Sequence, residues 1–261
     1  RRVVPVIYEV VLLRHGQTRG YDGDHGLTER GELQARTRGA GLAAEIAPDA
    51  IVRMPHGRTA RASATAAALR AALVSGLAHE NGIGMPYPEP WFDNLRFSLH
   101  GAGVDTNTDA APARLALNGR DRAELPDWAR EYDRFDSDFG AGAASGNPIE
   151  YWLRHPTLYF EPPQVAAHRL WRGIATAADG HDPGSGPLVV LAATHSAPMR
   201  ALVATTLGFD AGEPHNLEDV RVRVGADAAA TLTFRGHTVE TTVPAHLPPW
   251  IDRAWSEAFG R

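Results

Sequence analysis

Two short apolar segments constrain the fold of this chain more than any other feature of its sequence. Residues 7–13 and 188–194 consist mainly of aliphatic and β-branched side chains, and each is followed closely by a histidine, His15 and His195. Strands that are apolar on both faces are typical of a parallel sheet that is covered by helices on both sides. The two segments therefore predict buried strands of an α/β fold.

The residues between these strands alternate between helix and strand signals. A helix is predicted to begin at Thr28, a suitable N-cap, and to end before Pro48. A strand is predicted over 50–53 and a further helix over 58–74, whose buried face is formed by four apolar residues: Ala62, Ala66, Leu69 and Leu73. This alternation predicts a three-layer α/β/α sandwich with a mostly parallel central sheet.

The remaining segments predict an extension of this sheet and one insertion. A helix is expected from His195 to about Leu207, and three alternating segments, 220–224, 230–234 and 238–243, are expected to extend one sheet edge. Residues 96–163 are rich in Gly, Asp and Asn and break the alternation. We interpret the chain as one domain, 1–261, with a cap insertion of helices and loops at about 96–163.

Aromatic residues recur at helical spacing inside the insertion, and a flexible glycine-rich loop is predicted at 140–146. We expect the aromatic stripe to pack the insertion onto the main body, although a lid wall over a substrate is the alternative. The stripe consists of Trp128, Tyr132, Phe135 and Phe139.

Composition excludes several classes of protein. The 261 residues include no cysteine, which excludes disulfides, thiolate nucleophiles and cysteine-bound zinc. A net charge of −5 argues against a nucleic-acid or anionic-membrane surface. No apolar run approaches the roughly 18 residues of a membrane span, and the first residues lack a signal-peptide pattern. We expect a soluble, cytoplasmic protein, and the oligomeric state stays open.

Two linked motifs carry the chemical information. Residues 12–18 read L-L-R-H-G-Q-T, and residues 24–35 read D-H-G-L-T-E-R-G-E-L-Q-A. They resemble the R-H-G-[EQ]-[ST] turn and the D-x-x-L-T-x-x-G-x-x-Q-A helix start of the histidine phosphatase superfamily, the phosphoglycerate mutase-like family. A single Arg-His-Gly would be a weak signal, but two motifs at the right separation are specific.

The resemblance implies a role for each residue of the first turn. His15 is expected to attack phosphorus and become a phosphohistidine, because open α/β sheets bind ligands at the carboxyl ends of their strands. Arg14 is expected to stabilise the charge on the phosphoryl oxygens, and Thr18 to add a hydroxyl donor. Gly16 is expected to let the backbone approach the anion closely.

A second histidine motif follows the later strand. Residues 191–202 read L-A-A-T-H-S-A-P-M-R-A-L, and they resemble the segment in which the family's second histidine donates to the phosphoryl oxygens. His195 is the matching residue. Ser196 stands where phytase-type and acid-phosphatase branches carry an aspartate as proton donor. The proton must therefore come from another group.

The family's second arginine has two candidates, because the pattern S-P-x-x-R-A-x-x-T-A aligns in two ways with residues 54–66. The proline spacing selects Arg58, whereas the threonine–alanine spacing selects Arg61. We favour Arg58, because on the predicted helix it points closer to the buried face and lies at the helix start, where free N–H groups favour an anion. Arg61 is then expected at the surface or as an outer anion contact.

The proton donor to the leaving group is not identified by the sequence. The family places a glutamate in a segment like L-x-E-x-x-x-G after its third strand, and Phe97 stands at that position. Asp93 and Glu89 are the nearest carboxylates, and we take Asp93 as the candidate. A carboxylate of the insertion, Asp105 or Asp109, is the remaining option.

The resemblance predicts an enzyme that hydrolyses a small-molecule phosphomonoester. A phosphoglycerate mutase-like phosphotransferase is less favoured, because Tyr21 stands where the mutase motif carries asparagine. A non-catalytic phospho-ligand binding protein is the third alternative, motivated by Phe97. The leaving group stays undetermined, and neither a nucleic acid nor a membrane is expected as partner.

We expect no metal or other cofactor. The histidines other than His15 and His195 lack H-x-x-x-H or H-x-H spacing with nearby carboxylates, which is the pattern of a metal site. These histidines include His25, His56, His79 and His100.

Overall fold

The computed structural model describes residues 6–20, 24–76, 82–95, 114–141, 148–155 and 161–246. Within them the strands are β1 (Val6–Arg14), β2 (Ile51–His56), β3 (Ile83–Pro88), β4 (Leu188–Thr194), β5 (Asp219–Gly225), β6 (Ala229–Phe234) and β7 (His237–Thr242). The helices are α1 (Glu29–Glu45), α2 (Ala60–Gly76), α3 (Asp127–Ala141), α4 (Pro148–Arg154), α5 (Pro163–Thr176) and α6 (Ser196–Leu207).

The strands form one seven-stranded sheet in the order β3-β2-β4-β1-β5-β6-β7. The first four of these are parallel to one another, and β5, β6 and β7 continue the sheet as antiparallel neighbours. The predicted α/β architecture and the predicted edge extension are both confirmed. Because β1 and β4 are adjacent and pair Arg14 with Thr194, the residues that follow them emerge together at the same edge of the sheet.

Alternate residues of the central strands face two different apolar layers. Val10 and Leu12 of β1 belong to the cluster that contains α5 and α6, whereas Val11 and Leu13 belong to the cluster that contains α1 and α2. All four side chains are at most 2% exposed, and burial of each contributes roughly 1.5–3 kcal/mol. A strand that is apolar on both faces is therefore covered on both faces, as the predicted three-layer sandwich requires.

The two helices beside β1 and β2 begin at side-chain caps. The Thr28 hydroxyl accepts a hydrogen bond from the backbone N–H of Gly31 at 3.0 Å, which confirms the predicted N-cap of α1. The hydroxyl of Thr59 accepts from the backbone N–H of Ala62 at 3.3 Å, and α2 begins at Ala60. The predicted helix 58–74 thus starts two residues later than expected, although its four apolar face residues are all fully buried.

Strand β3 was not predicted from the sequence, because it contains Pro86 and Pro88. Proline cannot donate a backbone hydrogen bond and is therefore confined to edge strands and bulges. β3 lies at the edge of the sheet and pairs only with β2 among the described strands, with a register shift between Val52 and Met54. The edge position explains why the prolines are tolerated there.

The described part of the insertion is helical and packs onto the α5 and α6 side of the sheet. Trp128 of α3 and Trp152 of α4 are 3% and 1% exposed within the same apolar cluster as α5 and α6. Tyr132 packs against this cluster, so the packing interpretation of the stripe is confirmed for its first two residues. The side chains of Phe135 and Phe139, and residues 142–146 of the predicted loop, lie outside the described residues. The cap itself stays a prediction.

Across the described ranges, no helix combines the length and the apolar character that crossing a bilayer would need.

Candidate active site

The fold brings His15 and His195 together. Each follows one of the two adjacent parallel strands β1 and β4, and the backbone N–H of His15 donates to the carbonyl of Thr194 at 2.9 Å. The two ring centroids are 5.2 Å apart, and both residues are 2% exposed. The two histidines that the sequence motifs single out therefore form one buried pair at the carboxyl edge of the sheet.

The hydrogen bonding of His15 decides which ring nitrogen can react. Nδ1 lies 2.7 Å from the carbonyl oxygen of Gly16. A carbonyl only accepts, so Nδ1 must carry the proton and Nε2 must carry the lone pair. Burial lowers the pKa of His15 from 6.5 to about 3, and the nearby charges of Arg61 and Arg14 act in the same direction. His15 is therefore neutral at physiological pH, with the lone pair on Nε2.

The two sequence motifs are linked because they hold one turn. The backbone N–H groups of Gly16 and Gln17 donate to the side chains of Thr65 and Gln34, each at 3.0 Å. A Cβ on Gly16 would lie 2.5 Å from the carbonyl oxygen of Gly31 in α1. Gly16 thus permits close packing against α1, and its N–H is engaged by Thr65. The expected approach of its backbone to an anion stays a prediction.

Arg14 lies beside His15 and is held by the loop that precedes β5. Its guanidinium donates to the carbonyl of Pro214 at 2.5 Å and pairs with Glu213 at 2.9 Å. Asn216 of the same loop donates from Nδ2 to the His15 carbonyl at 2.8 Å. The sequence analysis did not identify Glu213 or Asn216, because about 200 residues separate them from the first motif and only the adjacency of β1 and β5 brings them together.

The structure places Arg61, and not the favoured Arg58, next to the two histidines. The Arg61 side chain is 3% exposed, and its charge lowers the pKa of both His15 and His195. The Arg58 side chain is 40% exposed and pairs with Asp93. Arg58 was favoured as a helix residue, but α2 begins at Ala60, so the helical angle does not apply to Arg58. The expectation of a surface position for Arg61 is wrong.

His195 is enclosed between the α2 start and β4. Its Nε2 lies 3.3 Å from the Thr59 hydroxyl, and its buried Nδ1 has no hydrogen-bond partner among the residues that the structure describes. Burial holds the pKa of His195 well below 6.5, and the charges of Arg61 and of His15 act in the same direction. A Cβ on Gly57 would lie 2.4 Å from the carbonyl oxygen of Phe92 and 3.1 Å from Nε2 of His195, and the first of these distances requires glycine at this position.

The remaining candidates from the sequence, Asp93, Thr18 and Glu89, form hydrogen bonds with residues other than the two histidines. Asp93 accepts from the backbone N–H and from the guanidinium of Arg58, at 2.8 Å and 2.5 Å, so both of its carboxylate oxygens are engaged. The Thr18 hydroxyl donates to the carbonyl of Gly26 at 3.0 Å within its own loop. Glu89 accepts from the N–H of Trp91 at the turn after β3. Phe97, Asp105 and Asp109 lie outside the described residues.

Asp24 is a further residue at this site that the sequence analysis quoted only as part of a motif. Its two carboxylate oxygens lie 2.8 Å and 3.0 Å from the backbone nitrogen of Ala60, the first residue of α2. One of them is 3.9 Å from Nη1 of Arg61. An acidic side chain at the positive end of a helix is stabilising, and here it also neighbours the buried arginine.

Solved structures identify the fold. A phosphoglycerate mutase from Bacillus anthracis matches with a TM-score of 0.53 at 14% identity, over 90% of this chain and 92% of that chain. Mycobacterial hydrolase 1 matches with a TM-score of 0.52 at 19% identity, over 89% and 99% of the two chains. The chain has the phosphoglycerate mutase-like fold. The identities are low, so the likeness establishes the fold and not the reaction.

Another solved structure with a similar fold is a mycobacterial glucosyl-3-phosphoglycerate phosphatase in complex with inorganic phosphate. It matches with a TM-score of 0.51 at 18% identity, over 88% of this chain and 97% of that chain. No protein-family model and no curated protein sequence matches the chain. The part of the chain that the structure describes contains no group of three or more His, Cys, Asp or Glu side chains arranged to hold a metal ion.

Proposed function

We propose that this protein is a phosphatase that hydrolyses a small-molecule phosphomonoester through a phosphohistidine on Nε2 of His15. The observation that carries the proposal is the pair of buried, neutral histidines 5.2 Å apart, with the charge of Arg61 acting on both rings. A site with a neutral nucleophile and fixed positive charge suits a transferred phosphoryl group, whose charge is spread over three oxygens.

In the first step Nε2 of His15 attacks phosphorus opposite the ester oxygen. The N–P bond forms as the P–O bond to the leaving group breaks, and the leaving oxygen departs as an anion that takes up a proton from water. The hydrogen bond from Nδ1 to Gly16 fixes the ring for this attack, at 2.7 Å. Arg61, Arg14 and the N–H of His195 stabilise the charge on the phosphoryl oxygens.

In the second step water attacks the phosphohistidine. The N–P bond breaks, inorganic phosphate leaves, and the pair of electrons returns to Nε2, which restores the neutral ring of His15. A mutase would instead return the phosphoryl group to a second hydroxyl, which requires exclusion of water. Release of inorganic phosphate therefore distinguishes the proposed hydrolase from the mutase alternative.

The position of Asp93 argues against its acting as the proton donor, because both carboxylate oxygens accept from Arg58. We propose instead that Asp93 fixes the turn that carries Arg58 and Thr59 beside His195. Aryl phosphates leave as weakly basic phenolates and need little protonation, so they are suitable first substrates for a site whose acid is not assigned.

The proposal is tested by combining turnover with trapping of the phosphoenzyme. The wild type should release inorganic phosphate from p-nitrophenyl phosphate, and intact mass measured after rapid quenching should show one added phosphoryl group. The His15→Ala variant should melt normally and lose both signals, because it lacks the imidazole whose Nε2 is proposed to attack phosphorus. A melting curve like that of the wild type together with activity within about tenfold of it would refute the assignment of the nucleophile.

Two other results would favour the alternatives. A phosphoenzyme without release of inorganic phosphate to water would indicate a phosphotransferase. Binding of inorganic phosphate, measured by calorimetry, without turnover of any phosphomonoester would indicate a phospho-ligand binding protein. A panel of sugar phosphates, nucleotides and other metabolite phosphates then identifies the leaving group.

A further inference from the structure

A buried ion pair behind the site has no part in the proposed reaction. Glu161 precedes α5 and Arg169 lies within that helix, and their side chains are 0% and 1% exposed. The guanidinium donates from Nε to one carboxylate oxygen at 2.8 Å and from Nη2 to the other at 3.0 Å. Removing two charges from water costs several kcal/mol per ion, so a pair as deep as this one requires many compensating contacts.

The other N–H groups of Arg169 donate hydrogen bonds to the backbone of one short segment. Nη1 donates to the carbonyls of Trp91 and Asp93, each at 2.9 Å, and Nη2 donates to the carbonyl of Asn94 at 3.0 Å. These carbonyls belong to the turn that follows β3, residues 90–94, which we call the wall segment. A planar guanidinium with five donors can hold several carbonyls and a carboxylate together, whereas the three donors of lysine radiate from one nitrogen.

The wall segment borders the histidine pair. The Phe92 carbonyl accepts from the Thr194 hydroxyl at 2.7 Å, directly before His195. A Cβ on Gly57 would lie 2.4 Å from the same carbonyl and 3.1 Å from Nε2 of His195. A displacement of the wall segment would therefore change the space beside His195.

The wall segment also fixes the turn before α2. The carboxylate of Asp93 accepts from the backbone N–H of Arg58 at 2.8 Å. The next residue, Thr59, lies 3.3 Å from Nε2 of His195 through its hydroxyl. Contacts thus continue without a break from Glu161 through Arg169 and the wall segment to His195.

We propose that Arg169 is a positioning residue that holds the wall segment against His195, and that Glu161 orients its guanidinium for this task. The effect on turnover rests on the proposed function, whereas the effect on the geometry of His195 does not. The charge of Arg169 is also among the causes that lower the pKa of His195, which agrees with their proximity. The end of the insertion is in this way connected to the reacting site by hydrogen bonds.

The test compares two substitutions of the same kind. Arg169→Lys keeps the charge but loses the planar fork. Arg200→Lys is the matched control, because Arg200 is also nearly buried and pairs with Asp210 through two hydrogen bonds, at 2.8 Å and 2.6 Å, away from the wall segment. Steady-state kinetics with p-nitrophenyl phosphate, melting curves and the ring resonances of His195 in NMR spectra are measured for both variants.

We expect Arg169→Lys to lower kcat at least tenfold with KM within about threefold, and to shift the His195 resonances, because the wall is displaced while the phosphoryl contacts remain. Arg200→Lys should change Tm but leave kcat within about twofold and the His195 resonances in place. A kcat for Arg169→Lys within twofold of the wild type, or equal losses in both variants, would overturn the proposal.

The test also gives a result if the Arg169→Lys variant does not fold or if the wild type shows no phosphatase activity. If Arg169→Lys does not fold, Glu161→Gln takes its place, since it removes one charge while keeping the side-chain size and one acceptor oxygen. If the wild type hydrolyses no phosphomonoester, the proposed function fails, and the NMR comparison alone decides the positioning proposal. Unchanged His195 resonances in a folded Arg169→Lys or Glu161→Gln variant would then refute it.

Discussion

Acidification should destabilise the folded protein by an amount that follows from the burial of His15. The pKa of His15 is lowered from 6.5 to about 3 in the folded state, with burial as the largest cause. At pH 5 the unfolded chain therefore binds nearly one proton at this position, whereas the folded protein binds almost none. Because the folded state binds fewer protons, the free energy of unfolding falls as the pH falls from about 6.5 toward 3.

The size of the change in the free energy of unfolding is set by this difference in proton binding between the unfolded and folded states. Each pH unit over which the two states differ by one proton changes the free energy of unfolding by about 1.4 kcal/mol. Between pH 7 and pH 5 the His15 contribution integrates to about 2 kcal/mol, because proton uptake by the unfolded state begins near pH 6.5. The pKa of His195 is lowered as well, so His195 adds to the loss of unfolding free energy of the wild type on acidification.

The assay compares urea denaturation of the wild type with that of His15→Asn, at pH 5, 7 and 8. Asparagine can place its amide nitrogen near the position of Nδ1, so it can keep the hydrogen bond to Gly16 while it removes the titrating group. The wild type should lose about 2 kcal/mol more than the variant between pH 7 and pH 5. Between pH 8 and pH 7 the two should change alike, which serves as the internal control.

Equal changes for the two proteins, within about 0.5 kcal/mol between pH 7 and pH 5, would refute the reasoning. His15 would then take up a proton in the folded state over this range and would not be a neutral nucleophile there. The result bears directly on the mechanism, because protonated imidazole has no lone pair with which to attack phosphorus.

Three further predictions concern the reaction. Arg61→Gln should lower kcat/KM for p-nitrophenyl phosphate at least about a hundredfold, as expected for loss of a preorganised donor, and substitution of the more exposed Arg58 by Gln should lower it much less. A larger loss of kcat/KM in Arg58→Gln than in Arg61→Gln would instead support Arg58 as the phosphoryl-binding arginine. Asp93→Asn should slow alkyl and aryl phosphates by similar factors, and a loss confined to alkyl esters, whose leaving groups need a proton, would identify Asp93 as the general acid. Activity should persist in excess EDTA, and a loss that added magnesium or zinc restores would contradict the metal-free mechanism.

The sequence alone determined the features that depend on local pattern. The apolar character of residues 7–13 and 188–194 predicted buried parallel strands, and the structure confirms β1 and β4 as neighbours at the centre of the sheet. The Thr28 cap and the apolar face of α2 were predicted from short-range spacing and are confirmed. The family resemblance implied that His15 and His195 act on the same phosphoryl group, and the structure places their rings 5.2 Å apart.

Only the tertiary structure decided which side chains surround the histidines. Arg61 and Arg58 both fit the sequence pattern, and the choice depended on the start of α2 at Ala60, which Thr59 and Asp24 cap. The contact of Asn216 with His15 depends on the pairing of β1 with β5, from the far end of the chain. Such contacts follow from strand order and from the packing of distant segments, and residue spacing along the chain carries no information about either.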